Sequence, residues 1–295
     1  MRGRALLLGL LAAAVASEGA VRLLDLAPES GFYGYPEGLL VPDARLGWRY
    51  RPGFRGAFLG PRYASIPIEI NSRGFRGPEF SPEPSPESFR IAGLGDSIAF
   101  GAGVREEEIA FRLLERRLRN RHPQAEVLNF GVNHFDAGRE ALLLETEVLP
   151  FRPNLVLLAL CLNDAGTAEG DSTPRAPLAV RFLRSSAVLR LAHRRILGSS
   201  ERYAESYQRL YLDRIEEDWR SAGESRVEGA IARMAEASRR AGARFAVVAF
   251  PHRTQLGQVP RFSIQDRLAS ICDRQAAPLL DLREAFSSRE PEEPF

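Results

Sequence analysis

The segment Phe89-Arg-Ile-Ala-Gly-Leu-Gly-Asp-Ser-Ile-Ala-Phe-Gly-Ala-Gly103 constrains this chain more than any other. Its apolar start reads as a short buried strand, and Gly95-Asp96-Ser97 reads as a tight turn that opens a helix. A serine just past the first strand of an α/β sheet stands where such sheets place their chemistry. Its hydroxyl would face the crevice and its N–H would point out of the turn, as an acyl-transfer nucleophile requires. Read as an ordinary strand-to-helix turn, the same residues make Ser97 an N-cap. Other loop motifs do not fit. A dinucleotide fingerprint begun at Gly93 needs glycine where Ile98 stands. A Walker phosphate loop needs a lysine, and all 40 basic residues are arginine. The α/β-hydrolase elbow needs glycine where Ala99 stands.

Two further blocks follow in order. Glu126-Val-Leu-Asn-Phe-Gly131 is a strand ending in a glycine. Leu155-Val-Leu-Leu-Ala-Leu160 is a wholly apolar strand followed by Cys161-Leu-Asn163-Asp164. Read singly, Gly131 is a turn glycine and Asn163 a helix cap. With Gly-Asp-Ser ahead of them, the three blocks resemble the SGNH/GDSL hydrolases. That resemblance implies Ser97 as nucleophile, with the Gly131 N–H and the Asn163 side-chain amide as oxyanion donors. Cys161 departs from the glycine usual in the family's Gly-x-Asn-Asp block. The family's last block, Asp-x-x-His, supplies the base and the aspartate that orients it. The chain has no such block, although Ala277-Pro-Leu-Leu-Asp-Leu282 resembles the segment that precedes it. The expectation is therefore a base histidine beyond Phe295. His252, after the strand Phe245–Phe250, and His134, three residues past Gly131, stand at the right edge but read better as a turn residue and a pocket wall. His122 reads as a solvated helix-end cation and His193 as a solvent-facing helix residue.

Strands near 89–94, 126–130, 155–160, 245–250 and 278–281 alternate with helices Ala110–Asn120, Gly138–Leu149, Val227–Ala241 and Ser263–Arg274. This predicts an α/β fold, a three-layer flavodoxin-like parallel sheet of order 2-1-3-4-5. A β-rich lead-in (26–87) precedes it, ending in the linker Phe80-Ser-Pro-Glu-Pro-Ser-Pro-Glu87, and the hydrolase-like domain occupies 88–295. Residues 165–226 form a helical insertion in which Tyr203, Tyr207, Tyr211 and Trp219 are spaced for core packing, placed where a lid could sit.

Residues 1–25 have the form of a signal peptide or membrane anchor. A basic start, Met1-Arg-Gly-Arg4, precedes the apolar run Ala5–Ala16 and the small residues Ala14-Val-Ala16. The expected location is the periplasm or membrane of a bacterium, with membrane attachment through the N-terminus. A net charge of +2 is too small, and the arginines too dispersed, to imply a nucleic-acid partner, and none is expected. No metal-ligand spacing occurs, and no cofactor is expected. The two cysteines read as buried free thiols. The resulting expectation is an exported serine esterase acting on a small-molecule or glycan ester, with O-acetyl groups of cell-surface glycans as the substrate. The alternatives are an O-acyltransferase, a catalytically inactive binding protein and a periplasmic assembly component.

Overall fold

The computed structural model of the chain describes residues 2–24, 26–27, 36, 38–59, 65–166, 186–196, 201–252, 255 and 263–287. Helix α1 (Arg2–Leu23) comes first. Two antiparallel hairpins follow, β1 (Leu40–Asp43) with β2 (Gly47–Tyr50) and β3 (Arg55–Leu59) with β4 (Ser65–Glu69). In β4 the alternation read from sequence is realised. Ile66 and Ile68 are buried, while Ser65, Pro67 and Glu69 face outward.

The α/β body then runs β5 (Phe89–Gly95), α2 (Ser97–Phe100), α3 (Ala110–Arg119), β6 (Ala125–Asn129), α4 (Ala137–Leu143) and β7 (Leu155–Leu160). It continues with α5 (Ala187–Ile196), α6 (Glu201–Asp218), α7 (Glu224–Arg240), β8 (Arg244–Ala249), α8 (Ser263–Arg274), β9 (Leu279–Asp281) and α9 (Arg283–Ser287). The five body strands are parallel in the order β6-β5-β7-β8-β9. This is the doubly wound sheet expected from the strand–helix alternation. The chain leaves β5 toward β6 and then crosses to β7 on the other side. The carboxyl ends of β5 and β7 therefore flank the switch point where open α/β sheets bind ligands.

One helix departs from the sequence reading. The expected Gly138–Leu149 helix keeps regular geometry only to Leu143, then widens into a π-turn (Leu144–Val148) and tightens into a 3₁₀ turn (Leu149–Phe151). Pro150 is the cause. It has no N–H, and its ring collides with the carbonyl four residues back in a regular helix.

The lead-in shares one hydrophobic core with the body, in which Trp48, Tyr50, Ile68 and Phe75 meet Phe100, Phe130 and Phe135. The proline-rich segment read as a linker is bound to the body rather than extended from it. Phe80 packs on Phe130 and Phe151, with ring centroids 5.5 and 5.2 Å apart. Arg90, 1 % exposed, donates to Pro82 O (2.9 Å), Glu83 O (3.2 Å) and Phe151 O (2.8 Å), and pairs with Glu126. In the insertion, Trp219 is buried, as its spacing suggested, and Tyr211 is partly buried. The Tyr203 and Tyr207 side chains and residues 167–185 lie outside the described residues.

Candidate active site

The turn after β5 is built by three residues with distinct tasks. Gly95 has φ +145, and a Cβ there would lie 2.6 Å from Ala159 O on the neighbouring strand. Only glycine satisfies both that backbone angle and that approach. Asp96 caps α2, its carboxylate accepting from Ile98 N at 3.0 Å. The capping role that sequence allowed for Ser97 thus belongs to its neighbour. Ser97 is the first residue of α2, so its N–H has no partner within the helix. It is half-buried beside the exposed Ile98.

Asp96 joins this turn to the one after β7. Its Oδ2 accepts from Asn163 Nδ2 at 2.9 Å and lies 3.4 Å from Ser97 Oγ, and its Oδ1 accepts from the Cys161 thiol at 3.0 Å. Ser97 and Asn163 therefore meet through one buried carboxylate. The Asn163 turn is fixed from behind as well. Cys161 N–H donates to Asp164 Oδ2 (2.7 Å), Trp219 Nε1 donates to Leu162 O (2.6 Å) and Arg226 donates to Ala165 O. The insertion thus ends on the loop that carries Asn163. Cys161 takes the position of the family's usual glycine without a left-handed angle, at φ −100 and ψ 155.

Gly131, the other expected oxyanion donor, lies on the loop after β6. Its N–H donates to Asn129 Oδ1 at 2.9 Å, so this donor is occupied within its own loop. Its lack of a side chain has another use, because a Cβ would lie 2.3 Å from Phe100 N and 2.6 Å from Ala99 C. Gly131 lets the loop lie flat against α2, and Asn129 Nδ2 ties the same loop to Ala99 O at 2.9 Å. The loop continues the parallel pairing, with Phe130 N–H on Gly93 O and Val132 N–H on Gly95 O. It then turns through Asn133 and His134, closed by Phe135 N–H on Val132 O. His134 is exposed and has φ +63, an unusual angle for a non-glycine residue. The lead-in holds this turn. Tyr50 Oη accepts Asn133 N–H (2.8 Å), Trp48 Nε1 donates to Asn133 O (3.1 Å) and Trp48 packs edge-on against Phe135.

His252 follows β8 at the same end of the sheet, its ring centroid 5.5 Å from that of Tyr211 on α6. Burial pushes its imidazole below the usual histidine value. His122 is exposed near the end of α3, and the His193 side chain lies outside the described residues. So does the stretch from residue 288 onward, where the approach to an Asp-x-x-His block was expected.

Sequence reasoning missed the acidic floor of the site. Glu140 on α4 is fully buried, and neither carboxylate oxygen has a hydrogen-bond partner among the described residues. Burial, then Asp96, then Asp136 push its carboxyl well above the usual range. Asp164, 1 % exposed, is raised by burial, Glu140 and Asp96 despite accepting the Cys161 N–H. Burial, Asp96 and Asp164 raise Cys161, which therefore remains a thiol and a donor. A signal for Glu140 was present. It falls in the stripe Ala137, Ala141, Leu144, Val148, whose other members are all fully buried. Among the described residues, no cluster of His, Cys, Asp and Glu is arranged to hold a metal ion. Cys161 and Cys272 are both buried and free.

The doubly wound sheet brings a serine turn and an asparagine turn together at its switch point. The sequence matches the GDSL-like Lipase/Acylhydrolase family over residues 94–294, more than half of the chain, and the chain belongs to that family of ester hydrolases. Solved structures of similar fold include AlinE4, an SGNH-hydrolase family esterase. It is 17% identical, with a TM-score of 0.43 over 70% of this chain and 84% of that one. The acetyl xylan esterase AlAXEase is 17% identical, with a TM-score of 0.41 over 68% and 80%. The psychrotrophic esterase EstA from Pseudoalteromonas sp. is 16% identical, with a TM-score of 0.39 over 65% and 76%. No curated protein matches the chain in sequence.

Proposed function

We propose that this chain is a serine esterase in which Ser97 attacks the acyl carbonyl. The observation that carries the reading is the Asp96 carboxylate, which bonds Asn163 Nδ2 and approaches the Ser97 hydroxyl. Ser97 Oγ bonds to the carbonyl carbon and its proton passes to a histidine base. The carbonyl oxygen takes up the electron pair as an oxyanion. Two donors suit that oxygen, the Ser97 N–H and the second N–H of the Asn163 amide. The oxyanion then collapses, the alcohol leaves with the proton, and water releases the acyl group from Ser97. Gly131 supports the loop beside α2 in this scheme and does not donate.

The substrate class we propose is the O-acetyl ester of cell-surface glycans. The support is the export-signal form of the N-terminus, which would carry the chain to where such esters occur. α1 exposes Leu10, Leu11 and Val15. No helix among the described residues is long and apolar enough to cross a membrane. Fractionation of cells producing the full chain tests export, and accumulation in the soluble cytoplasm would refute it.

The activity test is p-nitrophenyl acetate hydrolysis by the wild type, Ser97→Ala, His134→Ala, His252→Ala and a form carrying any sequence encoded after Phe295. The expected result is hydrolysis that Ser97→Ala removes, with the base identified by the histidine whose loss or addition moves the rate. Hydrolysis indifferent to Ser97→Ala in every form would refute the assignment.

A further inference from the structure

The donors around the serine turn are shared unevenly among three carboxyl groups. Asp96 receives Ile98 N–H at 3.0 Å, the Cys161 thiol at 3.0 Å and the Asn163 amide at 2.9 Å, with the Ser97 hydroxyl at 3.4 Å. Those contacts suit a carboxylate acceptor. Glu140 is completely buried next to it and has no partner for either oxygen among the described residues. Asp164, also buried, accepts at one oxygen, while its Oδ1 has no partner among the described residues.

The cations on surrounding elements are engaged elsewhere. Arg139 on α4 pairs with Asp136 at the start of that helix, donates to Leu46 O and lies over the Trp48 ring. On α7, Arg226 donates to Ala165 O and Arg233 pairs with Glu145. The groups facing Glu140 from β5 and its own helix cap are Asp96 and Asp136, and Asp164 approaches from the turn after β7. Like charges so close in a dry corner cannot all ionise, and the group without donors is the one that keeps its proton.

We propose that Glu140 is a positioning residue of the esterase site, held as a neutral carboxylic acid so that Asp96 remains the carboxylate that grips Asn163 and the Ser97 turn. This rests on Ser97 acting as nucleophile. Ionisation of Glu140 places a second negative charge beside Asp96 and displaces the Asn163 amide and the serine turn. Both act on the transition state more than on bound substrate. The consequence is an alkaline limb in kcat with KM little changed. Burial and the neighbouring carboxylates both drive Glu140 in the direction this requires.

The test compares Glu140→Gln with wild type, with Ser97→Ala as the background to subtract. Glutamine keeps the shape of the protonated acid and cannot ionise. The expected result is loss of the wild-type alkaline limb in Glu140→Gln, read as kcat at high pH relative to the same protein's kcat at neutral pH. An infrared carboxylic-acid C=O band present in wild type at neutral pH should be absent in Glu140→Gln, whether or not the enzyme turns over. Asp164→Asn, which removes one neighbouring negative charge and keeps the acceptor oxygen, should instead lower the limb, because Glu140 then ionises more easily, and it serves if Glu140→Gln fails to fold. Superposable kcat profiles, or a wild-type spectrum lacking the acid band, overturn the proposal while Ser97-dependent hydrolysis stands. Hydrolysis independent of Ser97 overturns the esterase reading on which it rests.

Discussion

Strand β5 carries a buried charge at each end, and the fold treats the two differently. At its start, Arg90 donates to three carbonyls and to Glu126, so each guanidinium nitrogen finds an acceptor. Just past its other end, Asp96 stands with Glu140 and Asp164, which keep oxygens without partners among the described residues. A buried charge serving only the scaffold is matched by its surroundings, because an unmatched one is costly. An excess of like charge at the switch point of the sheet is the mark of a site where ionisation has been tuned. The same strand thus shows where the molecule is built for stability and where it is built for chemistry.

The contrast breaks most visibly at Arg90. Arg90→Met should leave the partly exposed Glu126 and the Pro82, Glu83 and Phe151 carbonyls without their donor and lower stability by about 1–3 kcal/mol, read by urea denaturation. An unchanged midpoint would mean that the proline-rich segment holds without it. At the other end, Asn163→Ala should lower kcat by roughly 10²–10³-fold while stability moves by less than about 1 kcal/mol. A variant that loses stability and keeps its kcat would place Asn163 with the scaffold.

The pH dependence of stability sharpens the same comparison. Folding raises the Glu140 carboxyl above its ordinary 4.5, so the folded chain keeps a proton that the unfolded chain releases. That contribution is complete below 4.5 and fades as pH rises toward the folded value. Against wild type, Glu140→Gln should therefore become relatively more stable with rising pH, from acid to pH 8. A difference constant with pH would contradict the raised carboxyl.

Trp48→Phe, which keeps most of the ring and loses the bond to Asn133 O, should cost about 1 kcal/mol in thermal unfolding. If the lead-in clamps the 132–135 turn, the variant should also exchange the Phe135 amide faster.

The smallest effect concerns α1. Glu18 accepts from Ala187 N–H and Val188 N–H, and these bonds pull its carboxyl to about 2. Docking of α1 on α5 should then persist from neutral pH down to the usual carboxylate range and weaken as pH falls toward 2. Faster amide exchange in the first turn of α5 in Glu18→Gln would show it, and unchanged exchange would refute it.

Much of this was legible in the sequence because the signals are local. Apolar runs at 89–95 and 155–160 and the helical spacing of 263–274 fix the sheet and its order. Gly-Asp-Ser and Asn163 sit at strand ends, where the topology must bring them to one edge. The bond from the Gly131 N–H to Asn129 Oδ1 was not legible, because it depends on a side chain folding back two residues. The clamp on Asn133 joins residues 85 and 83 positions apart, a pairing that no local pattern encodes. Two signals were present and unread. Pro150 follows directly on the expected helix, within reach of its last turn, and Glu140 lies in an otherwise apolar stripe. Each is a local rule broken near the site, where such breaks concentrate.

The central claim is that Ser97 is the nucleophile, and covalent trapping tests it most directly. A fluorophosphonate should form one adduct, which mass spectrometry of the peptide containing Gly95-Asp96-Ser97 should place on Ser97. Ser97→Ala should form none. An adduct on a different residue, or ester hydrolysis persisting in a protein whose Ser97 remains unlabelled, would contradict the account.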